Sequence, residues 1–340
     1  MLAEGVSIII CCYNSAKRLP ETIRHLAEQK FIGHWEIIIV NNRSNDDTGK
    51  VAKIEWHKYA LPNVEFKVVD EQKPGLNYAR KKGTETSNYE CLIFCDDDNW
   101  LHEDYVKNAL SLLKSNPRVA ILGGIGTAEF EGHLSKPPWF DNFYHGYAIG
   151  AQADKESKVN SVYGAGMVVR KSVINMVTGK HPLFLHGRKL NQLTAGDDAE
   201  MCMRVRLAGY DILYSPQLKF KHFLPDNRLK WDYLKKLYIG FAKTHVAINL
   251  YEKVLNSQSA TINPFYWLKK GLYYWGIYLK YWPKHYSVYK KGEGTIGEIH
   301  HLTWKNIAVS YFEYNIKTVI IFREITALKN QISRSDQNEI

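Results

Sequence analysis

The strongest constraint on the fold of this chain is an apolar run, residues 91–95, that leads directly into three consecutive acids. The segment reads CLIFCDDDNW. An apolar run without polar alternation is typical of a strand buried on both faces, as in a parallel sheet that helices cover. Open α/β sheets bind ligands at the carboxyl ends of such strands. We therefore predict a ligand site at Asp96, Asp97 and Asp98.

Three adjacent carboxylates repel one another, and a divalent cation among them would relieve that repulsion. Oxygen ligands of this kind suit Mg²⁺ or Mn²⁺, particularly when diphosphate oxygens complete the coordination shell. The alternative is an acidic N-terminus of the following helix, for which Glu103 and Asp104 are also available. Three acids directly after a buried strand exceed what capping requires, so we favour the ligand site.

Strand patterns alternate with helical patterns through the first 124 residues. Alternation at this spacing predicts βαβ units, right-handed crossovers and a mainly parallel central sheet. The fold class that we expect is therefore α/β. The predicted strands cover residues 6–12, 35–40, 64–69, 91–95 and 119–124, and the predicted helices cover residues 17–29, 48–58, 77–84 and 104–114.

After residue 124 the alternation of strand and helix patterns becomes less regular. Residues 126–158 have little periodicity and predict a long functional loop. The run Gly-Asp-Asp-Ala-Glu at 196–200 predicts the start of a helix that Asp197 or Asp198 caps. Further predicted elements are a strand over 161–170, short strands over 211–215 and 219–223, and helices over 231–255 and 306–332.

The net charge of +10 is concentrated in the last third of the chain. From Asp226 onward there are 17 Lys and Arg against 9 Asp and Glu, whereas the preceding residues hold 28 against 26. A nearly neutral first part followed by a basic, aromatic part indicates an anionic surface as partner. The same boundary predicts an α/β domain over residues 1–225 and a helical C-terminal region over residues 226–340.

Five cysteines, an odd number set mostly in apolar runs, predict buried free thiols in a reducing compartment. The first six residues lead into a strand without a basic or apolar leader, and no window of eighteen residues is unbroken apolar. We expect neither a secretory signal nor a transmembrane helix. The expected location is cytoplasmic, peripheral on the inner face of the plasma membrane.

Residues 264–289 hold eleven aromatic side chains with lysines among them. Aromatic residues beside lysines suit a helix that lies in the interface of an anionic membrane. A helix packed on the rest of the protein fits the same pattern, and nucleic-acid binding ranks below both because no recognised nucleic-acid module is present. One apolar stripe at helical spacing consists of Leu268, Leu272, Trp275, Leu279 and Trp282.

Five features follow one another along the chain: Tyr13-Asn14 after the first strand, a polar loop after the second, the run PGLNYAR at 74–80, the Asp96-x-Asp98 cluster, and Asp197-Asp198. Because it carries these features in this order, the chain resembles a family 2 glycosyltransferase with the nucleotide-sugar-binding GT-A fold. The resemblance covers about residues 5–225. The chain is also similar to bacterial members that make capsular or exopolysaccharide, through its DDDNW, GAGMVVR and KFKHF runs.

The resemblance implies a nucleotide-sugar donor, with a UDP-sugar favoured. Asn41 takes the position at which family members usually carry an acid that binds the uracil imide N–H, and its carbonyl can accept the same bond. Arg80 would approach the base or the diphosphate, and an ordinary surface arginine is the alternative. The donor-binding residues implied are Tyr13, Asn14, Asn41, Arg80, Asp96 and Asp97.

The resemblance also implies a divalent cation, Mn²⁺ or Mg²⁺, held by Asp98 with Asp96 and His222. A core or surface histidine is the alternative for His222. Asp198 matches the family's catalytic base, with Asp197 beside it, in a single displacement that inverts the sugar carbon. One of these two acids can cap the helix while its neighbour projects into the cleft.

The implied acceptor is a polysaccharide or a lipid-linked glycan. We place it, as a hypothesis, against Trp139, Arg188 and Lys189, because aromatic faces pack on sugar rings and basic side chains suit a pyrophosphate. The alternative function is a non-catalytic module that binds nucleotide-sugars or polyprenyl pyrophosphates, but such a module needs no base. A dinucleotide-dependent oxidoreductase is disfavoured because the first turn, CYNSA, lacks the GxGxxG pattern.

Overall fold

The computed structural model describes residues 3–59, 61–132, 135–179, 182–185, 195–256, 261–289 and 293–337. The strands are β1 Ala3–Cys12, β2 Trp35–Asn41, β3 Val64–Asp70, β4 Tyr89–Asp96, β5 Asn99–Leu101, β6 Val119–Phe130, β7 Ser157–Lys158, β8 Met167–Arg170 and β9 Asp211–Leu224. The α-helices are α1 Leu19–Ala27, α2 Thr48–His57, α3 Leu76–Thr86, α4 Tyr105–Ser115, α5 Lys171–Thr178, α6 Asp197–Leu207, α7 Trp231–Asn256, α8 Tyr266–Tyr289, α9 Ile296–Tyr314 and α10 Lys317–Gln337. Short 3₁₀ helices cover Phe140–Asn142, Tyr144–Tyr147 and Asp226–Leu229.

The strands form one mixed sheet in the order β3-β2-β1-β4-β8-β6-β9-β5, with β7 paired to β9. The longest ladders, β1 with β2, β1 with β4, β2 with β3 and β6 with β9, are parallel. Shorter antiparallel ladders join β8 to β4 and β6, and join β5 and β7 to β9. Helices α1, α2 and α3 connect the parallel strands β1 to β4. The predicted α/β fold with a mainly parallel central sheet is confirmed.

Successive residues of the central strands enter hydrophobic clusters on opposite faces of the sheet. Ile8 and Ile93 belong to one cluster, whereas their neighbours Ile9 and Leu92 belong to the other. Burial on both faces explains why these strands read as unbroken apolar runs. The acids begin where β4 ends, at Asp96, so they lie at the carboxyl edge of the sheet.

Four of the predicted strands were wrong in their limits. The two short strands predicted around residue 217 form the single strand β9, whose register against β6 shifts between Gly123 and Ile125. Pro216 lies in that shifted segment, where its missing N–H does not interrupt the ladder. Strand β6 continues to Phe130, into the predicted loop, and the predicted strand over 161–170 is reduced to β8.

Strand β5 was missed because its three residues carry no periodic signal. It pairs antiparallel with β9, and Asn99 lies opposite His222 in the register. This pairing brings the end of the acidic run beside His222.

The C-terminal helices pack on the α/β part through shared hydrophobic clusters. Met203 and Leu207 of α6 pack with Leu250 of α7, and Leu328 of α10 joins a cluster of the sheet. The single helix predicted over 306–332 is two helices, because Asn315 adopts φ +41° between α9 and α10.

Helix α8 packs against α9, yet much of the predicted apolar stripe remains exposed. Leu272, Leu279 and Trp282 are 56%, 55% and 43% exposed. Every helix in the described part of the chain is too short or too polar to cross a membrane.

Candidate active site

A cavity of about 490 Å³ opens at the carboxyl ends of β1 and β4. The first turn of α6, the 3₁₀ helix Tyr144–Tyr147 and one face of α7 complete its walls. This is the edge at which open α/β sheets bind ligands. The structure brings these predicted site residues together around the cavity: Tyr13, Arg80, Asp96, Asp97, Asp98, Asp197, Asp198 and His222.

Asp97 is held by contacts within the protein. Its Oδ2 accepts a hydrogen bond from Arg18 Nη2 at 2.6 Å and another from the Ser15 hydroxyl, and its backbone carbonyl accepts from Thr22 Oγ1 at 2.8 Å. Burial, and then the charge of Asp98, raises the pKa of the Asp97 carboxyl. These contacts tie the acidic run to the start of α1, so Asp97 positions its neighbours.

Asp98 lies between an arginine and a histidine. Its Oδ2 is 2.8 Å from Arg228 Nη2, its Oδ1 is 3.5 Å from His222 Nε2, and its side chain is 3% exposed. The Asn99–His222 pairing of β5 with β9 produces this contact. Burial is the largest single effect and works to lower the pKa of Arg228, but the charge of Asp98, the nearby Tyr233 and Asp97, and the hydrogen bond to Asp98 together outweigh it, so that pKa lies above its usual value.

The His222 ring is oriented by the backbone. Its Nδ1 is 2.6 Å from the carbonyl oxygen of Tyr147, which can only accept, so Nδ1 carries the proton. Nε2 then presents a lone pair toward Asp98 and Arg228, whose Nη1 is 3.2 Å away. A histidine held through its other nitrogen by a carbonyl is the usual arrangement of a metal ligand.

Asp98 and His222 therefore fit a divalent cation, with one carboxylate and one imidazole nitrogen 3.5 Å apart. Among the described residues, Asp96, Asp98 and His222 do not form a group whose ligand atoms all lie within 4.8 Å of one another. His102, Glu103 and Asp104 do form one, on the surface. The cavity thus offers two converging protein ligands, and Asp96 lines the same wall.

Asp198 is held at the cavity wall by two backbone amides. The N–H of Gly164 donates to its Oδ2 at 2.9 Å, and the N–H of Ala199 donates to its Oδ1 at 2.8 Å. Burial, and then the neighbouring Asp197 charge, raises the pKa of the Asp198 carboxyl. The result is an oriented carboxylate whose proton affinity is above that of an exposed aspartate, which suits a general base.

Asp197 pairs with Arg80. Arg80 Nη1 lies 2.6 Å from Asp197 Oδ2, and the guanidinium covers the ring of Phe94 at 5.2 Å. Arg80 is 6% exposed, so the surface-arginine alternative was wrong. Asp197 and Asp198 both lie in the first turn of α6, as predicted, but its N-cap is Gly196 and the helix has no side-chain cap hydrogen bond, so the prediction that one of these acids caps it was wrong.

Asn14 and Asn41, two of the predicted donor-binding residues, do not line the cavity. Asn14 Oδ1 accepts from the N–H of Asn45 at 2.8 Å, which joins the loops after β1 and β2. Asn41 Nδ2 donates to Asp70 Oδ1 at 2.8 Å, while its buried Oδ1 has no hydrogen-bond partner among the described residues. Asn42, which the sequence did not single out, lines the cavity and accepts from the N–H of Gly75 at 2.8 Å.

The structure adds cavity residues that sequence reasoning missed. They are Arg18, Asn42, His145, Tyr163, Arg228 and Tyr233. The sequence shows that Arg228 is a basic residue soon after His222, but only the tertiary fold shows that its side chain reaches Asp98.

Two of the three predicted acceptor residues, Arg188 and Lys189, lie outside the described residues. Trp139 is 6% exposed and packs edge-on against Trp231, with ring centroids 5.4 Å apart. It borders a separate cleft with Asp232 and Glu293, and the structure does not bring it to the cavity.

Comparison with known proteins defines the class. Residues 7–177, just over half of the chain, match the sequence model of Glycosyl transferase family 2. The chain belongs to this family, and it is a glycosyltransferase.

Curated relatives support the same family. The chain is 22% identical over 254 residues to the glucosyl-dolichyl phosphate glucuronosyltransferase of Haloferax volcanii, covering 70% of this chain and 76% of the relative. It is 31% identical over 249 residues to the poly-beta-1,6-N-acetyl-D-glucosamine synthase of Staphylococcus epidermidis, covering 67% of this chain and 54% of the relative. The chain thus spans about half of the length of that synthase.

Among solved structures, the mannosyltransferase PcManGT from Pyrobaculum calidifontis, in complex with GDP-Man and Mn²⁺, has a TM-score of 0.54. It is 17% identical, and the match covers 75% of this chain and 65% of that one. At this identity the likeness supports the GT-A fold alone.

Proposed function

We propose that this glycosyltransferase moves a sugar from a nucleotide-sugar donor, with a UDP-sugar favoured, to a polysaccharide or lipid-linked glycan. The observation that carries the proposal is the oriented Asp198 carboxylate, which faces a cavity that acids and arginines also line. A module that only bound nucleotide-sugars or polyprenyl pyrophosphates would not need such a base. In this proposal the division at residue 225 separates the donor-binding domain from a helical region that adds α7 to the site.

Asp198 is the proposed general base. It takes the proton of the acceptor hydroxyl while the acceptor oxygen bonds to the anomeric carbon and the bond from that carbon to the diphosphate oxygen breaks. A single displacement of this kind inverts the anomeric carbon. The raised pKa of Asp198 strengthens its affinity for that proton.

The leaving nucleoside diphosphate is proposed to lie on the side of the cavity that Arg18, Arg80 and Arg228 line. Asp98 and His222, with Asp96 nearby, would hold Mn²⁺ or Mg²⁺. When bound, the ion would offset the negative charge of the diphosphate. Tyr13 and Asn42 also line the cavity and are proposed to contact the nucleoside, with Asn14 and Asn41 next to them in the sequence.

The test is calorimetry with UDP and with GDP, each with and without Mn²⁺, because a relative of the same fold was solved with GDP-Man. We expect metal-dependent UDP binding in the wild type, loss of that dependence in Asp98→Ala, and unchanged binding in Asp198→Asn. Asp198→Asn is expected to lower the rate of sugar transfer by about 10²–10⁴-fold. Binding of neither nucleotide by the wild type would contradict the proposal.

We also propose that the protein binds the inner face of the membrane through α8. One face of α8, extended by the residue just before it, carries the exposed apolar side chains of Phe265, Leu272 and Leu279. The exposed Lys269 and Lys280 lie beside them. In co-sedimentation, vesicles with anionic phosphatidylglycerol should retain the wild type, and vesicles of phosphatidylcholine should retain less.

Replacing Leu272 and Leu279 by Ser should lower the bound fraction. The matched control is Ile54→Ser, which removes a 50% exposed isoleucine from α2. Equal retention of all three proteins would contradict membrane binding through α8.

A further inference from the structure

The cavity has two chemically different sides. The acids and arginines gather around the ends of β1 and β4, whereas the side formed by the 3₁₀ helix Tyr144–Tyr147, Tyr163 and α7 is aromatic and apolar. We propose that this second side is the acceptor subsite and that it takes an uncharged sugar ring. The proposal rests on the proposed function, and it adds the chemical class of the acceptor's reacting end. In the described part of the chain the side chains of this wall are His145, Tyr147, Tyr163, Tyr233, Leu237 and Phe241.

Tyr163 links this wall to the base. It directly precedes Gly164, whose N–H donates to Asp198 Oδ2 at 2.9 Å. The Tyr163 hydroxyl is 2.7 Å from His145 Nδ1. A sugar hydroxyl presented to Asp198 therefore shares the cavity with a tyrosine hydroxyl and an exposed imidazole, and both can exchange hydrogen bonds with other hydroxyls of the sugar.

Helix α7 supplies the apolar part of the wall. Tyr233, Leu237 and Phe241 follow one another at intervals of four residues, so they share one face of the helix. Tyr233 stacks on Tyr147 with centroids 6.2 Å apart, and Phe241 remains 36% exposed at the rim. Aromatic faces of this kind pack on the C–H faces of a sugar ring.

The distribution of charged side chains in the cavity is the reason for proposing a neutral sugar ring. None of the described side chains on this wall is a lysine, arginine, aspartate or glutamate. A phosphate at the reacting end would find no lysine or arginine among these side chains, whereas the three arginines of the cavity lie among the acids, each in contact with a carboxylate. Those pairs are Arg18 with Asp97 at 2.6 Å, Arg80 with Asp197 at 2.6 Å and Arg228 with Asp98 at 2.8 Å.

The experiment compares acceptor probes in the presence of UDP and Mn²⁺. Saturation-transfer NMR is recorded with p-nitrophenyl glycosides of neutral hexoses and N-acetylhexosamines, with hexose 6-phosphates, and with undecaprenyl phosphate in detergent. Transfer to the same probes is measured with a panel of UDP-sugars and GDP-sugars. We expect contact with, and transfer to, at least one neutral glycoside, and neither for the phosphorylated probes.

Three variants locate the contact. Tyr163→Ala and Tyr233→Ala should each raise the acceptor KM by about tenfold or more while changing the UDP Kd by less than about twofold. Phe241→Ala, at the exposed rim, tests the same wall with little risk to folding. The control is Tyr273→Ala, which removes a 59% exposed tyrosine of α8 and should leave both constants unchanged.

The outcomes separate the subsite from the proposed function. Better contact with hexose 6-phosphates or undecaprenyl phosphate than with neutral glycosides would overturn the subsite proposal. So would unchanged acceptor KM in all three wall variants, or UDP binding without contact to any neutral glycoside. Absence of nucleotide binding in the wild type would instead overturn the proposed function itself.

Discussion

Arg228 Nη2 lies 2.8 Å from Asp98 Oδ2, and Arg228 Nη1 lies 3.2 Å from His222 Nε2. One guanidinium therefore contacts both of the side chains that would hold a divalent cation. Like charges do not share a small, poorly solvated site, so the arginine and the ion must compete for the Asp98 carboxylate.

We expect Arg228→Ala to bind Mn²⁺ more tightly than the wild type when no nucleotide is present, because the competing cation is gone. The measurement is the signal of free Mn²⁺ in electron paramagnetic resonance during a protein titration. In the absence of metal the variant should lose about 3–5 kcal/mol of unfolding free energy, since Asp98 is left buried without its partner. Mn²⁺ should then raise its melting temperature more than it raises that of the wild type.

The control for this prediction is Arg18→Ala, which removes the arginine that contacts Asp97 at 2.6 Å. Its affinity for Mn²⁺ should stay closer to the wild-type value, because Asp97 is tied to the start of α1 and not to His222. Equal Mn²⁺ affinity in Arg228→Ala and the wild type would show that the guanidinium and the ion do not compete.

The pH dependence of transfer should report on Asp198. Burial and then the Asp197 charge raise the pKa of this carboxyl, and a base works only when it is ionised. Activity should therefore rise with pH through that raised pKa, and the acid limb of kcat/KM should lie above the range of an exposed aspartate, about 3.9. Asp198→Asn should lower kcat by about 10²–10⁴-fold and remove this limb. An acid limb that persists in the variant would assign the base to another residue.

The local sequence was sufficient to predict where the acids of the site lie, because they follow strong secondary-structure patterns. Asp96 to Asp98 come directly after five apolar residues, so strand type and edge position could both be predicted from that run. For Asp197 and Asp198 the local sequence predicted the helix start, and the family resemblance implied their place in the site.

Other parts of the site depend on contacts between distant segments. Arg228 reaches Asp98 across 130 positions of the sequence, and only the pairing of β5 with β9 brings the two segments together. Tyr163 and Tyr233 lie in segments whose local pattern resembles ordinary packing. No periodicity distinguishes an aromatic residue that lines a cavity from one that fills a core, so these residues could not be predicted.

A fully buried ion pair within α6 should be essential to stability. Arg204 Nη2 lies 2.9 Å from Glu200 Oε1, both side chains are 0% exposed, and Tyr251 of α7 donates to the same oxygen at 2.7 Å. Glu200 also accepts from the N–H groups of Phe184 and Leu185, so the pair joins α6, α7 and the segment before residue 186.

Replacing Arg204 by Met keeps most of the volume but leaves Glu200 charged and buried. We expect a loss of about 3–5 kcal/mol in urea denaturation, and a smaller loss of about 1.5–3 kcal/mol for Tyr251→Phe, which removes the hydroxyl that donates to Glu200 and accepts from Arg204 Nε. Arg206→Met, a change on the same helix at a partly exposed position, should cost less than either. A loss in Arg204→Met no larger than in Arg206→Met would contradict this role.

Replacing either of two helical glycines by alanine should change the stability of the protein, in opposite directions. A Cβ on Gly83 of α3 would lie 2.3 Å from Cγ2 of Ile9 in β1, closer than any real contact, so α3 or the strand must move. A Cβ on Gly49 of α2 would meet its nearest atoms at 3.7 Å, an ordinary contact. In a helix, alanine is favoured over glycine by about 0.8–1 kcal/mol, and overpacking costs about 1–3 kcal/mol.

At Gly83 the cost of overpacking should therefore exceed the gain in helix propensity, whereas at Gly49 there should be no such cost. We expect Gly83→Ala to destabilise the protein and Gly49→Ala to stabilise it by up to about 1 kcal/mol, both measured by urea denaturation. Because α3 also carries Arg80, the displacement in Gly83→Ala should weaken the contact of Arg80 with Asp197 and lower transfer activity. Stabilisation by both substitutions would mean that α3 does not pack on β1 as closely as this structure has it.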